Sequence, residues 1–138
     1  MLKAAIDIGS NSVRLLVADV NGDEFKPLFK RINTTRLHEG LSENGMLFGE
    51  PAQRTRAAIA DFARQARDAG VSGENIRAFA TSAVRDAENG GDFIKDVRGE
   101  CGVNIRLLTG QQEARCAFFA AALPGGECGV IDIGGAAT

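Results

Sequence analysis

The first 33 residues leave no room for a helix. Ile, Val and Leu concentrate at residues 3–9 (KAAIDIG) and 12–20 (SVRLLVADV), which read as strands. Small polar residues at 9–12 join them. Asn21-Gly22-Asp23 is a hairpin signal, and a third strand is expected over about 24–33. Connections this short join antiparallel neighbours, so the chain opens as an antiparallel meander.

The period then changes. Residues 34–50 are rich in Gly, Asn and Ser and read as a loop. Ala57, Ile59, Ala60, Phe62, Ala63 and Ala66 fall at helical spacing within 52–69, with Pro51 suited to the first helical position and Gly70 to the stop. Short strands are expected at 76–81 and 104–109. Ser82 is placed to cap a short helix carrying Arg85 and Glu88, which Asn89-Gly90-Gly91 ends. Further helices are expected at 92–100 and 111–123, and a last strand at 129–134. The order β-β-β-α-β-α-β-α-β implies an α/β fold with a mixed sheet, antiparallel on one side and covered by helices.

Composition excludes several classes of function. Nothing approaches the ~18–20 consecutive apolar residues of a membrane span, and residues 1–3 lead into a strand without a cleavage-site signature. The three cysteines, Cys101, Cys116 and Cys128, are odd in number and lack a C-x-x-C pair. That argues against a disulfide framework or a zinc site and for a reducing cytoplasm. His38 is the single histidine, too few for a His-based metal centre, and is expected on the surface or in a loop. The net charge of −2 provides no basic field for nucleic acid. A phosphate ligand remains compatible, because backbone N–H groups of glycine-rich loops bind phosphate without net positive charge.

One pattern occurs twice. "AAIDIGSNS" at 4–12 is echoed by "GVIDIGGAA" at 129–137. A single Asp-Ile-Gly at a strand end reads equally well as a plain polar turn. Two copies, each on an expected strand and each followed by small residues, point to phosphate loops. Gly9 would let the backbone approach a phosphate, Ser10, Asn11 and Ser12 would add donors, and a carboxylate at the mouth could hold hydrated Mg²⁺ or orient a water.

These segments, with "RAFATSAVRDAENG" (77–90) and "LLTGQQEAR" (107–115), resemble the exopolyphosphatase/guanosine pentaphosphate phosphatase family of the actin-like, sugar-kinase-like and Hsp70-like ATPase superfamily. The resemblance implies a ribonuclease H-like, actin-type ATPase lobe with a mixed five-stranded sheet over residues 1–124. Residues 125–138 would be the first strand and phosphate-loop start of a truncated second lobe. It also implies an Mg²⁺-dependent hydrolase that releases orthophosphate from polyphosphate or guanosine pentaphosphate, with guanosine tetraphosphate as a related ligand.

Carried over residue by residue, phosphate binding falls to Asp7, Gly9, Ser10, Asn11, Ser12, Arg14, Arg85, Asp132, Gly134 and Gly135. The metal falls to Asp7 and Asp132, and the role of general base to Glu113. Without the resemblance, Arg14 reads equally as a solvent-facing strand arginine and Glu113 as a helix-start charge. The chain departs from the family at Gln112, where an acidic residue is common, and at Ala136-Ala137, which replace Gly-Ser. A non-catalytic polyphosphate-binding or nucleotide-binding module is the competing reading, and a kinase of the same superfamily a third. The apolar strand at 130–133 is expected either to pair with a second copy, as a homodimer, or to lie disordered after Gly126.

Overall fold

In the computed structural model, residues 1–41, 43 and 45–122 are described, with side chains to Cys116. The last expected strand and the second loop, with Asp132, Gly134 and Gly135, lie outside them. So does the expected fate of the apolar strand at 130–133.

The meander forms as expected. Strands β1 (Leu2–Ile8), β2 (Val13–Asn21) and β3 (Glu24–Asn33) pair antiparallel in succession. Asn21 faces Glu24 across a two-residue turn in which Gly22 has φ 63°. Gly22 alone of the pair has positive φ, the pattern of a type II′ hairpin, whose twist matches that of the flanking strands. A bulge between Val17 and Ala18 shifts the β2–β3 register.

A short 3-10 turn (Leu37–Gly40) and a bridge between Leu41 and Leu47 interrupt the segment read as loop. Helix α1 runs Gly49–Asp68, placing Pro51 within its first turn rather than at its first residue. The N–H groups of that turn have no intrahelical acceptor, so proline is tolerated there. Gly70, at φ 100°, follows the helix and allows the chain to reverse.

Strand β4 (Ile76–Ala80) then lies parallel to β1. Helices α2 (Ser82–Asp86) and α3 (Gly90–Cys101) lead to β5 (Ile105–Leu107), parallel to β4, and α4 (Gly110–Ala122) follows. The five strands take the order β3-β2-β1-β4-β5. Compared with the expected 104–109, β5 is short because Thr109 is committed to starting the next helix.

Alternation along the strands divides the sheet. Ala4, Ile6 and Ile8, then Val13, Leu15 and Val17, then Ile76, Ala78 and Ala80 all point to one buried face. Ala52, Ile59, Phe62, Ala63 and Ala66 of α1, with Phe93 and Val97 of α3, cover that face. The opposite face carries half-buried Ala5, Asp7, Arg14, Leu16 and Phe79. Cys101 and Cys116 are free thiols. Among the described residues no helix is long and apolar enough to cross a membrane.

Candidate functional site at the carboxyl edge of the sheet

The parallel strands β1, β4 and β5 end side by side. Ile8 pairs with Ala80, and Ala80 with Leu107. Three connections therefore leave one edge of the sheet together: loop 9–12, the step into α2, and the step into α4. In α/β sheets this carboxyl edge is where ligands bind.

Loop 9–12 is held mostly by backbone. The Gly9 N–H donates to the Ser12 carbonyl at 3.0 Å and closes the turn. The N–H groups of Arg36 and His38 donate to the carbonyls of Asn11 (2.9 Å) and Ser10 (3.0 Å), so the segment after β3 braces the loop. That brace is itself anchored. The Thr35 carbonyl accepts two bonds from Arg54, and its buried hydroxyl lies 3.0 Å from that of Thr55. Arg36 sits between these contacts with φ 51° and ψ 53°, the left-handed region that arginine seldom occupies. Gly9, Ser10 and Ser12 are buried, while Asn11 is exposed.

Ser82 belongs to this group, although the sequence pointed to it only as a cap. Thr81 is the N-cap residue of α2 and makes no side-chain capping bond. The Ser82 hydroxyl instead lies 3.1 Å from the Ser10 hydroxyl and ties α2 to the first loop. Asp7 stands one residue before the strand end, directly opposite Arg14 of β2 and beside Phe79 of β4. Arg14 is therefore not a solvent-facing strand residue; its Nη1 is buried.

The other two connections are joined through Arg85. Its Nη1 donates to the Leu108 carbonyl at 2.8 Å and to Glu113 Oε2 at 3.1 Å, and its Nε to Asp86 Oδ1 at 3.3 Å. The Glu113 bond chiefly holds the guanidinium above the usual arginine range, against partial burial and with help from Asp86.

Glu113 is positioned by the start of α4. The Gln112 N–H bonds to the Thr109 hydroxyl at 3.1 Å, and the Gln112 amide oxygen accepts from the Thr109 N–H at 3.0 Å. This reciprocal pair is a capping box. The amide at position 112, where the resemblance implies an acid, therefore caps the helix that carries the candidate base.

The structure thus brings loop 9–12, Ser82, Arg85 and Glu113 to one edge, with Asp7 and Arg14 at the end of the β1–β2 pair. Among the described residues no three His, Cys, Asp or Glu side chains cluster as a metal site.

Comparison with known proteins agrees with this architecture. A sequence profile of the Ppx/GppA phosphatase family matches residues 16–138. Exopolyphosphatase 1 of Mycobacterium tuberculosis is 39% identical over 121 residues, covering 87% of this chain and 35% of that protein. The guanosine-5'-triphosphate,3'-diphosphate pyrophosphatase of Aliivibrio fischeri is 37% identical over 138 residues, covering 98% of this chain and 27% of that protein. The chain therefore spans about a third of the length of such relatives. The crystal structure of the Aquifex aeolicus Ppx/GppA phosphatase superposes with a TM-score of 0.80 at 32% identity, covering 88% of this chain and 40% of that one. The mixed five-stranded sheet is thus the actin-type lobe of that group, and the chain belongs to the Ppx/GppA phosphatase family.

Proposed function

We propose that this chain supplies the N-terminal lobe, over residues 1–124, of a cytoplasmic phosphoanhydride hydrolase that releases terminal orthophosphate from polyphosphate or guanosine pentaphosphate. The observation that carries the reading is the convergence of loop 9–12, Arg85 and Glu113 on one sheet edge, linked through Ser82 and Leu108. Phosphoryl transfer to water needs little covalent chemistry from the protein. It needs a held phosphate, neutralised charge and an oriented nucleophile.

Each need has a candidate here. Backbone N–H groups and hydroxyls of loop 9–12 would cradle the phosphate. Arg85 and Arg14 would neutralise its oxygens. Glu113 would take the proton of the attacking water. Mg²⁺ keeps most of its waters and takes only one or two carboxylates. Asp7 at the mouth of the loop would supply one such carboxylate, and Asp132 is its candidate counterpart. When bound, the ion would neutralise charge on the phosphate oxygens. Asp7 would serve this from its strand position opposite Arg14.

The test is phosphate release from polyphosphate and from guanosine pentaphosphate by the full-length protein. Glu113→Gln is expected to lower turnover by about 10²–10⁴-fold, the range for an acid–base group. Binding of either ligand without release would favour the non-catalytic module. A Gln variant with full turnover would reduce Glu113 to a helix-start charge.

A further inference from the structure

The two side chains given separate roles above touch each other. The contact joins the candidate phosphate ligand to the candidate base, so neither can act without affecting the other. Three features of Arg85 say how they are coupled. Its shorter bond is to a neutral group, 2.8 Å to the Leu108 carbonyl. Its bond to Glu113 is single and longer, 3.1 Å, whereas charge-assisted N–H···O bonds favour about 2.7–2.9 Å. Both partners of that ion pair are about a third exposed, 29% for Arg85 and 36% for Glu113. The carbonyl is therefore the anchor, and the carboxylate is the exchangeable partner. Among the described residues the second terminal nitrogen, Nη2, makes no hydrogen bond.

We infer that Arg85 is a hand-over residue: it neutralises Glu113 while the site is empty and swings on the Leu108 carbonyl to the substrate phosphate when a polyanion arrives, which releases the carboxylate to act as base. This rests on the reading of Glu113 and Arg85 given above. The Arg85 bond occupies Glu113 Oε2, one of the two oxygens that could accept a proton from the attacking water. A phosphate offers that guanidinium a bidentate partner of higher charge, which the single bond to Glu113 cannot match. Substrate thereby frees Glu113 Oε2 from the ion pair, and without substrate the contact is kept.

The coupling has a measurable sign. If Arg85 must leave Glu113 before it meets phosphate, removing the Glu113 charge strengthens ligand binding. A partly exposed ion pair sets the scale at roughly a two- to fivefold tightening. Lost repulsion between Glu113 and an anionic ligand would also tighten binding, but it would do so with or without Arg85. The experiment is therefore a double-mutant cycle on the full-length protein, read by calorimetric titration with a hydrolysis-resistant methylene-bridged triphosphate.

Glu113→Gln is expected to tighten binding in the presence of Arg85 and to have little effect in the Arg85→Gln background. Equal tightening in both backgrounds overturns the hand-over and leaves the proposed activity standing. No binding of the analogue by the unsubstituted protein overturns both. Should the Arg85 variant fail to fold, the structure of the analogue complex decides. Hand-over requires Arg85 and Glu113 more than hydrogen-bond distance apart with the Leu108 contact kept, and a retained Arg85–Glu113 bond refutes it.

Discussion

Gly90 offers a test of how the helical layer sets the position of Arg85. A methyl group at this buried glycine would stand 2.1 Å from the Val84 carbonyl oxygen and 3.2 Å from the carbonyl carbon. Bringing the first contact to the 3.0 Å floor of real Cβ neighbours moves backbone by 0.9 Å. The obstacle is a main-chain carbonyl, so no rotamer change relieves it. Helix α3 is fixed by Phe93 and Val97 in the core, which leaves α2 and residues 87–89 to yield. Yielding there strains the two 2.7 Å bonds between the Asn89 side chain and the Leu47 backbone.

Overpacking of this kind costs about 1–3 kcal/mol, and the Asn89 bonds place Gly90→Ala at the upper end. For a domain of this size that is a fall in Tm of roughly 10 °C. Gly91→Ala is the control, because nothing lies within 4 Å of its methyl group. It is expected to hold or raise stability by about 0.5 kcal/mol. Arg85 follows Val84 directly, so if the proposed function holds the same shift should lower phosphate release by the full-length protein about tenfold or more, as displacements near 1 Å do. Thermal melts and phosphate release for the pair decide it. A Gly90→Ala protein that melts within a degree or two of the unsubstituted one would refute the packing argument.

Other substitutions separate the remaining contributions. Thr35→Val removes a buried hydroxyl at 3.0 Å from Thr55 and should cost about 1 kcal/mol in denaturant titration; an unchanged midpoint would show that the hydroxyl pair adds nothing. Arg36→Gly suits a φ of 51° and should leave stability within about 0.5 kcal/mol, because relieved strain offsets the entropy of glycine. Arg36→Val should lose about 1–2 kcal/mol at the same position, and equal losses for the two would discount backbone strain. Gln112→Ala deletes half of the capping box and should destabilise α4 by about 1 kcal/mol, whereas Gln112→Glu keeps the cap; a Glu variant as unstable as the Ala variant would contradict the box.

What was legible in the sequence was mostly local. The Asn21-Gly22 turn, the amphipathic run of α1 and the glycine after it follow from short-range chemistry, and the structure has them within a few residues. Thr109-x-x-Gln112 likewise carries the capping-box signature in the residues themselves. Ser82 shows the limit. Its type fits a helix cap, but its hydroxyl partner is 72 residues away in the first loop, and no local rule anticipates that. Arg36 is harder still. Left-handed backbone is expected of Gly, Asn or Asp, and arginine adopts it here because neighbouring bonds to Asn11 and Thr35 over-determine the segment. The roles of Arg85 and Glu113 came from family resemblance, but their contact depends on where β4 and β5 end.

The bonds at this edge differ in a way that bears on the proposed catalysis. Loop 9–12 is closed and braced by three backbone bonds, α4 is started by a neutral capping box, and Arg85 is anchored on a carbonyl. Neutral bonds of this sort are little affected by ionic strength or by an arriving polyanion. They can hold donors aimed at a phosphate before it binds, which is the preorganisation that stabilises charge developing in a transition state. The ionic contact that joins the connections, Arg85 to Glu113, is partly exposed and therefore weak. A stronger, buried pair would make the unliganded lobe more rigid, but it would compete with the proposed phosphate ligand for the guanidinium. The frame thus rests on neutral bonds and the exchangeable contact on charge, a division suited to the highly charged ligand proposed for this edge.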